Sequence, residues 1–278
     1  MSDVIVITGI ADGMGREVAK MLVKEGHSVA GFDKDKALLN SLGEELKSIN
    51  KNNVYLEDFD ISDRKCILKF RDKVLEKFNK VDTVLSNVGI GFFGPFEEID
   101  LEKALQCFEI NVIGAAAIFK AFIPFMRDKK KGKLIAMSSL VGRIPFPFES
   151  IYTATKFALT GLIESIRYEV EPFGIKVALI EPAQVSTRFA AKIHVLPPSN
   201  SPYFERVKRF INRDNELIKT APDPSFAAKK IFNVVMSKSP RLYNQIDFKS
   251  TFFLWLNNFL PVKLRDLILV NYMDIKLK

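Results

Sequence analysis

The stretch VIVITGIADGMG, residues 4–15, decides the fold because it joins a continuous apolar run to a glycine-rich turn. The run VIVIT at 4–8 is typical of a strand that is buried on both faces of a parallel sheet. Gly9, Gly13 and Gly15 follow, directly before a helical pattern. Glycines let the backbone of such a turn approach a pyrophosphate, and the start of the helix presents unpaired N–H groups to it. The spacing Gly-x-x-x-Gly-x-Gly therefore predicts either a dinucleotide site or a turn that is tight for packing reasons.

Similar apolar runs alternate with helix-length segments along most of the chain. Further strands are predicted at 28–32, 53–57, 82–86, 133–139 and 175–181, with a seventh near 241–246. Crossover helices are predicted at 14–26, 34–50, 63–79, 100–127 and 151–173, and we expect Pro124 to bend or end the fourth. This alternation predicts an α/β fold with a doubly wound (Rossmann) parallel sheet of about seven strands and helices on both faces. Because no linker or repeat interrupts it, we expect residues 1–278 to form a single domain.

Two later segments depart from the alternation. In residues 184–224 prolines and serines break the helical spacing. A long irregular insertion after a strand is often a mobile lid, so we expect this segment to cover the substrate. Residues 247–278 are predicted to be an apolar helical extension that is too interrupted by polar residues to span a bilayer. Its spacing suits amphipathic helices that cover a pocket, line a subunit contact or rest on a membrane surface, and core packing is favoured over membrane contact.

Charge and cysteine content argue against several classes of function. The 278 residues include 41 basic and 33 acidic side chains, a net charge of +8 that is spread along the chain. This balance predicts solubility and no nucleic-acid partner. Cys66 and Cys107 have no CxxC spacing and no secretory leader precedes them, which predicts free thiols, a reducing cytoplasmic location and no metal site. His27 and His194 are isolated, so we assign neither a catalytic role.

The segment IYTATKFA, residues 151–158, sets Tyr152 and Lys156 four residues apart. On a helix this spacing places both side chains on one face, with Cβ atoms roughly 5–6 Å apart. An ammonium held that close favours the phenolate, so we expect Lys156 to lower the pKa of Tyr152. Bringing a free tyrosine from a pKa of ~10 to neutrality requires roughly 4 kcal/mol, of which one lysine supplies part. Ser139 lies at the end of the fifth predicted strand, at the edge where doubly wound sheets bind ligands.

Asp33 ends the second predicted strand, 18 residues beyond Gly15. A carboxylate there accepts hydrogen bonds from both hydroxyls of an adenosine ribose and repels a 2′-phosphate, which predicts NAD in preference to NADP. Lys34 follows directly and would weaken that repulsion. Asp33 is alternatively a cap for the helix that begins near Lys34.

Further motifs occur in a fixed order along residues 4–190. They are Thr8-Gly9-x-x-x-Gly13-x-Gly15, Asp60-Ile61 after the third strand, Ser86-Asn87-Val88-Gly89 after the fourth, Asn111 in a helix, Ser139 with Tyr152-x-x-x-Lys156, and Glu181-Pro182-Ala183 with Thr187 beyond. Together they resemble the motifs of the short-chain dehydrogenases/reductases. Val88 and Ala183 stand where the family has alanine and glycine, so we expect altered cofactor packing there in a site that is still active. The resemblance implies these cofactor-binding residues: Gly9, Asp12, Gly13, Met14, Gly15, Asp33, Asp60, Ile61, Asn87, Val88, Gly89, Tyr152, Lys156, Pro182, Ala183, Val185 and Thr187.

The resemblance also implies a catalytic role for four residues. Tyr152 is the general acid/base that exchanges a proton with the substrate oxygen. Lys156 lowers the pKa of that phenol and hydrogen-bonds the nicotinamide ribose, while Ser139 holds the substrate oxygen. Asn111 positions a water that connects Lys156 to solvent. The family also implies a homodimer or homotetramer, formed by packing of the fourth and fifth crossover helices against their copies.

Aromatic residues near these motifs predict an apolar substrate pocket. The predicted lining is Phe92, Phe93, Ile144, Phe146, Phe148 and, from the lid, Phe189. It suits a hydrophobic alcohol or ketone such as a steroid, a retinoid or another lipid-like molecule. The alternative is that these are ordinary core aromatics among 24 phenylalanines. Two other functions stay open: an NADP-dependent lipid carbonyl reductase at a membrane surface, and a non-catalytic dinucleotide-binding redox sensor.

Overall fold

The computed structural model describes residues 2–183, 185 and 196–276, and it contains seven parallel strands in one sheet. The strands are β1 (Val4–Thr8), β2 (Ser28–Asp33), β3 (Val54–Asp58), β4 (Thr83–Ser86), β5 (Gly132–Met137), β6 (Ile175–Glu181) and β7 (Tyr243–Gln245). Their order in the sheet is β3-β2-β1-β4-β5-β6-β7. The predicted doubly wound α/β fold is therefore confirmed. The order reverses between β1 and β4, which opens a crevice at the carboxyl ends of these two strands.

Ten α-helices of the described residues cover the sheet. They are α1 (Gly13–Lys24), α2 (Lys36–Asn50), α3 (Arg64–Phe78), α4 (Leu101–Phe108), α5 (Ala115–Asp128), α6 (Ser150–Val170), α7 (Phe204–Lys219), α8 (Pro224–Met236), α9 (Phe248–Asn257) and α10 (Val262–Tyr272). Aspartate side chains accept a backbone N–H at the start of five of them; these caps are Asp35, Asp63, Asp100, Asp223 and Asp247. Such caps satisfy N–H groups that have no partner inside the helix, and so they fix where each helix begins.

Two hydrophobic layers hold the helices against the sheet. One face packs on Phe70 of α3 and on Phe119 and Phe122 of α5, all fully buried. The other face packs on Leu22 of α1 and Leu42 of α2, also fully buried. Burying each such side chain contributes about 1.5–3 kcal/mol. Because both faces are covered, the strands read as continuous apolar runs.

The structure differs from the sequence prediction in two helical regions. Pro124 lies inside α5 and does not end it, since the helix continues to Asp128. A proline removes one backbone hydrogen bond, and burial of neighbouring side chains offsets that loss. Within the predicted irregular segment 184–224, residues Phe204–Lys219 form the amphipathic helix α7. Val207 and Phe210 on the apolar side of this helix are buried, and their burial stabilises it.

The run Leu101–Asp128 through α4 and α5 is long and apolar enough to cross a membrane by length and composition alone. Its core-facing side chains, such as Phe119 and Phe122, are buried within this fold. Leu101 and Leu105 of α4 are instead exposed. Packing against the sheet thus explains part of the apolar content of this run. Leu101 and Leu105 leave an apolar surface exposed on α4.

Candidate active site

A cavity of about 1090 Å³ opens at the carboxyl ends of the strands. It is larger than the roughly 300–1,000 Å³ of a typical single-ligand pocket, so two ligands can lie side by side in it. Of the residues predicted to bind cofactor, these line it: Gly9, Asp12, Gly13, Met14, Asp33, Asp60, Ile61, Asn87, Val88, Gly89, Tyr152, Lys156, Pro182, Ala183 and Val185. Thr187 lies outside the described residues. The tertiary structure therefore brings together residues at the ends of five strands, β1, β2, β3, β4 and β6, and two residues of α6.

The glycine turn between β1 and α1 is shaped by close packing on Asn87. Gly9 adopts φ +63, a conformation that favours glycine, and a Cβ there would lie 2.8 Å from Val88 Cγ2. The Asn87 side chain donates hydrogen bonds to the carbonyl oxygens of Thr8 (3.1 Å) and Gly9 (2.9 Å). Gly15 does not line the cavity. A Cβ on Gly15 would lie 2.6 Å from the Gly9 oxygen, so this glycine allows α1 to pack under the turn.

The start of α1 and the end of β2 both border this part of the cavity. Asp33 accepts hydrogen bonds from the backbone N–H groups of Ala11 and Asp35, each at 3.1 Å. The cap of α2 is Asp35, not Asp33, so capping does not explain Asp33. The Lys34 ammonium is largely exposed and lies 3.9 Å from Asp60. A glycine-rich turn, a helix start and the Asp33 carboxylate at the end of a strand fit the pyrophosphate and adenosine ribose of a dinucleotide.

Ser139, Tyr152 and Lys156 lie together on the wall of the same cavity. The Lys156 Nζ atom lies 5.5 Å from the centre of the Tyr152 ring and donates a hydrogen bond to the Met137 carbonyl at 2.8 Å. Ser139 follows β5; its hydroxyl donates a hydrogen bond to the Pro182 carbonyl (3.4 Å) and accepts one from the Val141 N–H (3.3 Å). These three side chains come from a strand end and the first turns of α6, and they can hold an oxygen and exchange its proton.

Burial has the largest effect on the pKa values of Tyr152 and Lys156, in contrast to the sequence prediction. Desolvation raises the pKa of Tyr152, the Glu149 carboxylate raises it further, and the hydrogen bond with Ser139 lowers it. Burial likewise lowers the pKa of Lys156 to about 8. The predicted lowering of the phenol pKa by Lys156 is therefore not the dominant effect. Desolvation disfavours the charged form of each group, and sequence spacing contains no information about it.

Asn111 lies beside this wall without lining the cavity. It occupies a π-helical segment, Glu109–Gly114, between α4 and α5. Its side chain donates to the Ile90 oxygen (2.8 Å) and to Thr155 Oγ1 (3.0 Å), and it accepts from the Ile90 N–H (2.8 Å). π-Helical segments occur frequently at functional sites. Here the segment ties the loop after β4 to α6, which carries Tyr152 and Lys156.

Only part of the predicted substrate lining is found at the cavity. Phe93 and Phe146 line it. The other three described residues of that prediction lie elsewhere: Phe92 lines a second cavity of about 310 Å³, Ile144 is buried in the protein interior, and Phe148 packs on Phe210 of α7 at a ring distance of 5.5 Å. Phe189 lies outside the described residues.

Several lining residues were not predicted at all. The carboxyl-terminal helices and their flanking residues contribute Asp214, Leu217, Ile218, Phe226, Phe248, Phe252, Phe253 and Tyr272. Glu149, at the start of α6, lines the cavity as well. Its position three residues before Tyr152 is a sequence signal that could have indicated it.

Comparisons with known proteins agree with this geometry. A family model described as short chain dehydrogenase matches residues 3–195. A 3-ketodihydrosphingosine reductase of Bacteroides thetaiotaomicron is 28% identical over 239 residues, which cover 85% of each chain. The 17-beta-hydroxysteroid dehydrogenase type 1 of Homo sapiens is 28% identical over 250 residues, 86% of this chain and 76% of the relative. A solved short-chain dehydrogenase from Streptomyces avermitilis matches with a TM-score of 0.81 at 28% identity, covering 96% of this chain and 94% of that one.

Proposed function

This chain belongs to the short-chain dehydrogenase/reductase family of oxidoreductases, which act on CH–OH groups, and we propose that it transfers a hydride between NAD(H) and a hydrophobic secondary alcohol or ketone of steroid-, retinoid- or lipid-like character. The observation that carries this proposal is the convergence of Ser139, Tyr152 and Lys156 on one cavity with the residues that fit a dinucleotide. The test is NADH formation with a panel of hydrophobic and sugar-like alcohols. Activity confined to the polar alcohols would contradict the substrate class.

The mechanism assigns one task to each side chain on this wall. In oxidation Tyr152 takes the proton of the substrate hydroxyl, and in reduction it returns a proton to the carbonyl oxygen. Ser139 donates a hydrogen bond to that oxygen while charge develops on it. Lys156, held by the Met137 carbonyl, binds the cofactor ribose. A bound nicotinamide supplies the hydride chemistry. Because burial raises the pKa of Tyr152, the phenol predominates at neutral pH, which favours reduction, and oxidation gains rate as the pH rises.

The apolar part of the cavity supports a hydrophobic substrate. The centres of the Phe93 and Tyr152 rings lie 5.9 Å apart. Leu217 and Phe226 add apolar surface from α7 and α8. Two relatives are named as a 17-beta-hydroxysteroid dehydrogenase and a 3-ketodihydrosphingosine reductase. These observations favour a lipid-like molecule over a sugar.

The choice between NAD and NADP is tested at Asp33. Replacing Asp33 by Asn removes the charge that would repel a 2′-phosphate, so we expect kcat/KM for NADP relative to NAD to rise about tenfold or more. The matched control is Asp35→Asn, which should leave the ratio unchanged because Asn caps α2 as well as Asp does. A wild-type protein that already prefers NADP would contradict the assignment of NAD.

An exposed apolar surface on α4 and α6 supports a homo-oligomer. Leu101 and Leu105 of α4 and Phe157 of α6 are exposed, and these two helices pack side by side. We expect Leu105→Glu to shift the protein from dimer or tetramer towards monomer in light scattering after size exclusion, since a charge in an apolar contact is costly. Leu68→Glu, at an exposed leucine of α3, is the control and should not change the mass. A monomeric wild type would rule out this interface.

A further inference from the structure

Helix α9 and the turn after it expose their aromatic side chains to solvent. Four of these recur at spacings of four, three and four residues, which places them on one side of the helix; we name them the aromatic stripe: Phe248, Phe252, Trp255 and Phe259. All four are more than half exposed. The same helical spacing places the buried residues Ser250 and Leu254 on the opposite side. A surface helix normally buries its apolar side, so packing in the core, which the sequence favoured for this extension, does not explain the stripe.

The aromatic stripe reaches the mouth of the ligand cavity. Phe248 and Phe252 line the cavity and are also exposed at the surface. Tyr272, at the end of α10, does the same. Val262 and Leu267 of α10 add exposed apolar surface, and no residue of this described helix is buried. The apolar surface of α9 and α10 is therefore continuous with the cavity in which Tyr152 lies.

The chemistry of this surface favours a lipid bilayer as the molecule that covers it. Tryptophan and phenylalanine are side chains that insert at the level of the lipid headgroups. Residues 248–265 contain three basic residues and no acidic one, and Asp266, the next acidic residue, pairs with Arg265 at 3.4 Å. A basic and aromatic surface complements anionic headgroups. Another protein, or a second copy of this chain, would cover the cavity mouth, whereas a bilayer can supply an apolar substrate to it.

We propose that α9 and α10 dock on the surface of an anionic lipid bilayer, with the aromatic stripe inserted between the headgroups and the cavity mouth facing the lipid. With 10 residues, α9 is too short to cross a bilayer and lies on its surface. The apolar substrate then enters the cavity from the acyl chains. That entry rests on the proposed dehydrogenase function, whereas the docking itself goes beyond that function and needs no turnover.

The chain contains its own fluorescent probe for this docking. Trp255 is its single tryptophan and belongs to the aromatic stripe. The full chain is mixed with vesicles of about three parts phosphatidylcholine to one part phosphatidylglycerol. We expect the protein to sediment with the vesicles and the Trp255 emission to shift to shorter wavelength. Lipids that carry bromine in the upper acyl chain should quench this emission, because such helices insert their apolar side about 5–10 Å deep.

A pair of variants separates insertion of the stripe from general adhesion of a basic protein. Phe259 is 69% exposed and lies outside the described cavity lining. Phe259→Glu brings a charge into the stripe, so we expect the affinity for vesicles to fall at least about tenfold, with thermal stability unchanged. The matched control is Phe173→Glu. Phe173 is exposed just before β6 begins, at the edge of the sheet opposite the cavity, so this variant should bind vesicles like the wild type.

Three results would overturn the proposal. The first is a wild type that does not bind the vesicles, which leaves a protein as the occupant. The second is a Trp255 emission that shifts with protein concentration and not with vesicles, which indicates a second copy of this chain. The third is sedimentation without quenching by the brominated lipids, or an equal loss of affinity in both variants, which indicates adhesion through the net charge of +8 alone. The quenching measurement on the wild type needs no variant, so it decides the question even if Phe259→Glu does not fold.

The same measurements distinguish a failure of this inference from a failure of the proposed function. Oxidation of a hydrophobic alcohol by a protein that does not bind vesicles would leave the dehydrogenase function intact and refute the docking. Insertion of Trp255 into vesicles without turnover of any alcohol would support the docking and contradict the dehydrogenase function.

Discussion

Tyr152→Phe is expected to lower kcat by roughly 10²- to 10⁴-fold, the usual contribution of a positioned general acid/base. The substitution removes the hydroxyl that exchanges a proton with the substrate. It keeps the ring that packs on Phe93. Because the fold is unchanged, NADH affinity and thermal stability should stay close to those of the wild type. Steady-state kinetics and cofactor titration by fluorescence provide the measurement.

The control for this prediction is Tyr168→Phe. Tyr168 lies on the same helix, α6, and is 72% exposed, so the loss of its hydroxyl should leave kcat within about twofold. An unchanged kcat in Tyr152→Phe would refute the assigned proton transfer. Tight NADH binding without turnover of any substrate by the wild type would instead favour the redox sensor.

The second large effect is expected for Gly15→Ala. The new Cβ would lie 2.6 Å from both the Gly9 oxygen and Asn87 Nδ2, so α1 or the turn must move. Overpacking of this kind costs about 1–3 kcal/mol. Since Asn87 holds the Gly9 carbonyl, the movement reaches the cofactor-lining turn, and we expect the dinucleotide affinity to fall about tenfold or more. Thermal denaturation and NADH titration measure the two effects.

Gly161→Ala is the matched control for Gly15→Ala. Gly161 lies in α6, and a Cβ there would meet no atom within 4 Å. Alanine in a helix interior is favoured over glycine by roughly 0.5–1 kcal/mol, so this variant should gain stability and retain cofactor affinity. If Gly15→Ala behaved in the same way, the close packing of α1 under the turn would not be required for dinucleotide binding.

The contacts of Gly15 and Phe148 show which features a sequence pattern does not predict. Gly15 belongs to the glycine motif, yet its role is to let α1 approach Gly9, because the contact depends on Asn87, which lies 72 residues later in the chain. Phe148 has the composition of a pocket residue but packs on Phe210 of α7. In both cases the deciding partner belongs to a distant element.

The sequence by itself determined the sheet, the two layers of helices and the positions of the dinucleotide and catalytic motifs. These features follow from local periodicity and short spacings, such as the apolar run at 4–8 and the four-residue step from Tyr152 to Lys156. Tertiary structure alone decided how acidic Tyr152 is, which aromatic residues border the cavity, and that Glu149 and Asp214 lie on the same cavity. The reason is physical: desolvation and charge interactions depend on which distant segments pack together, and no local pattern encodes that packing.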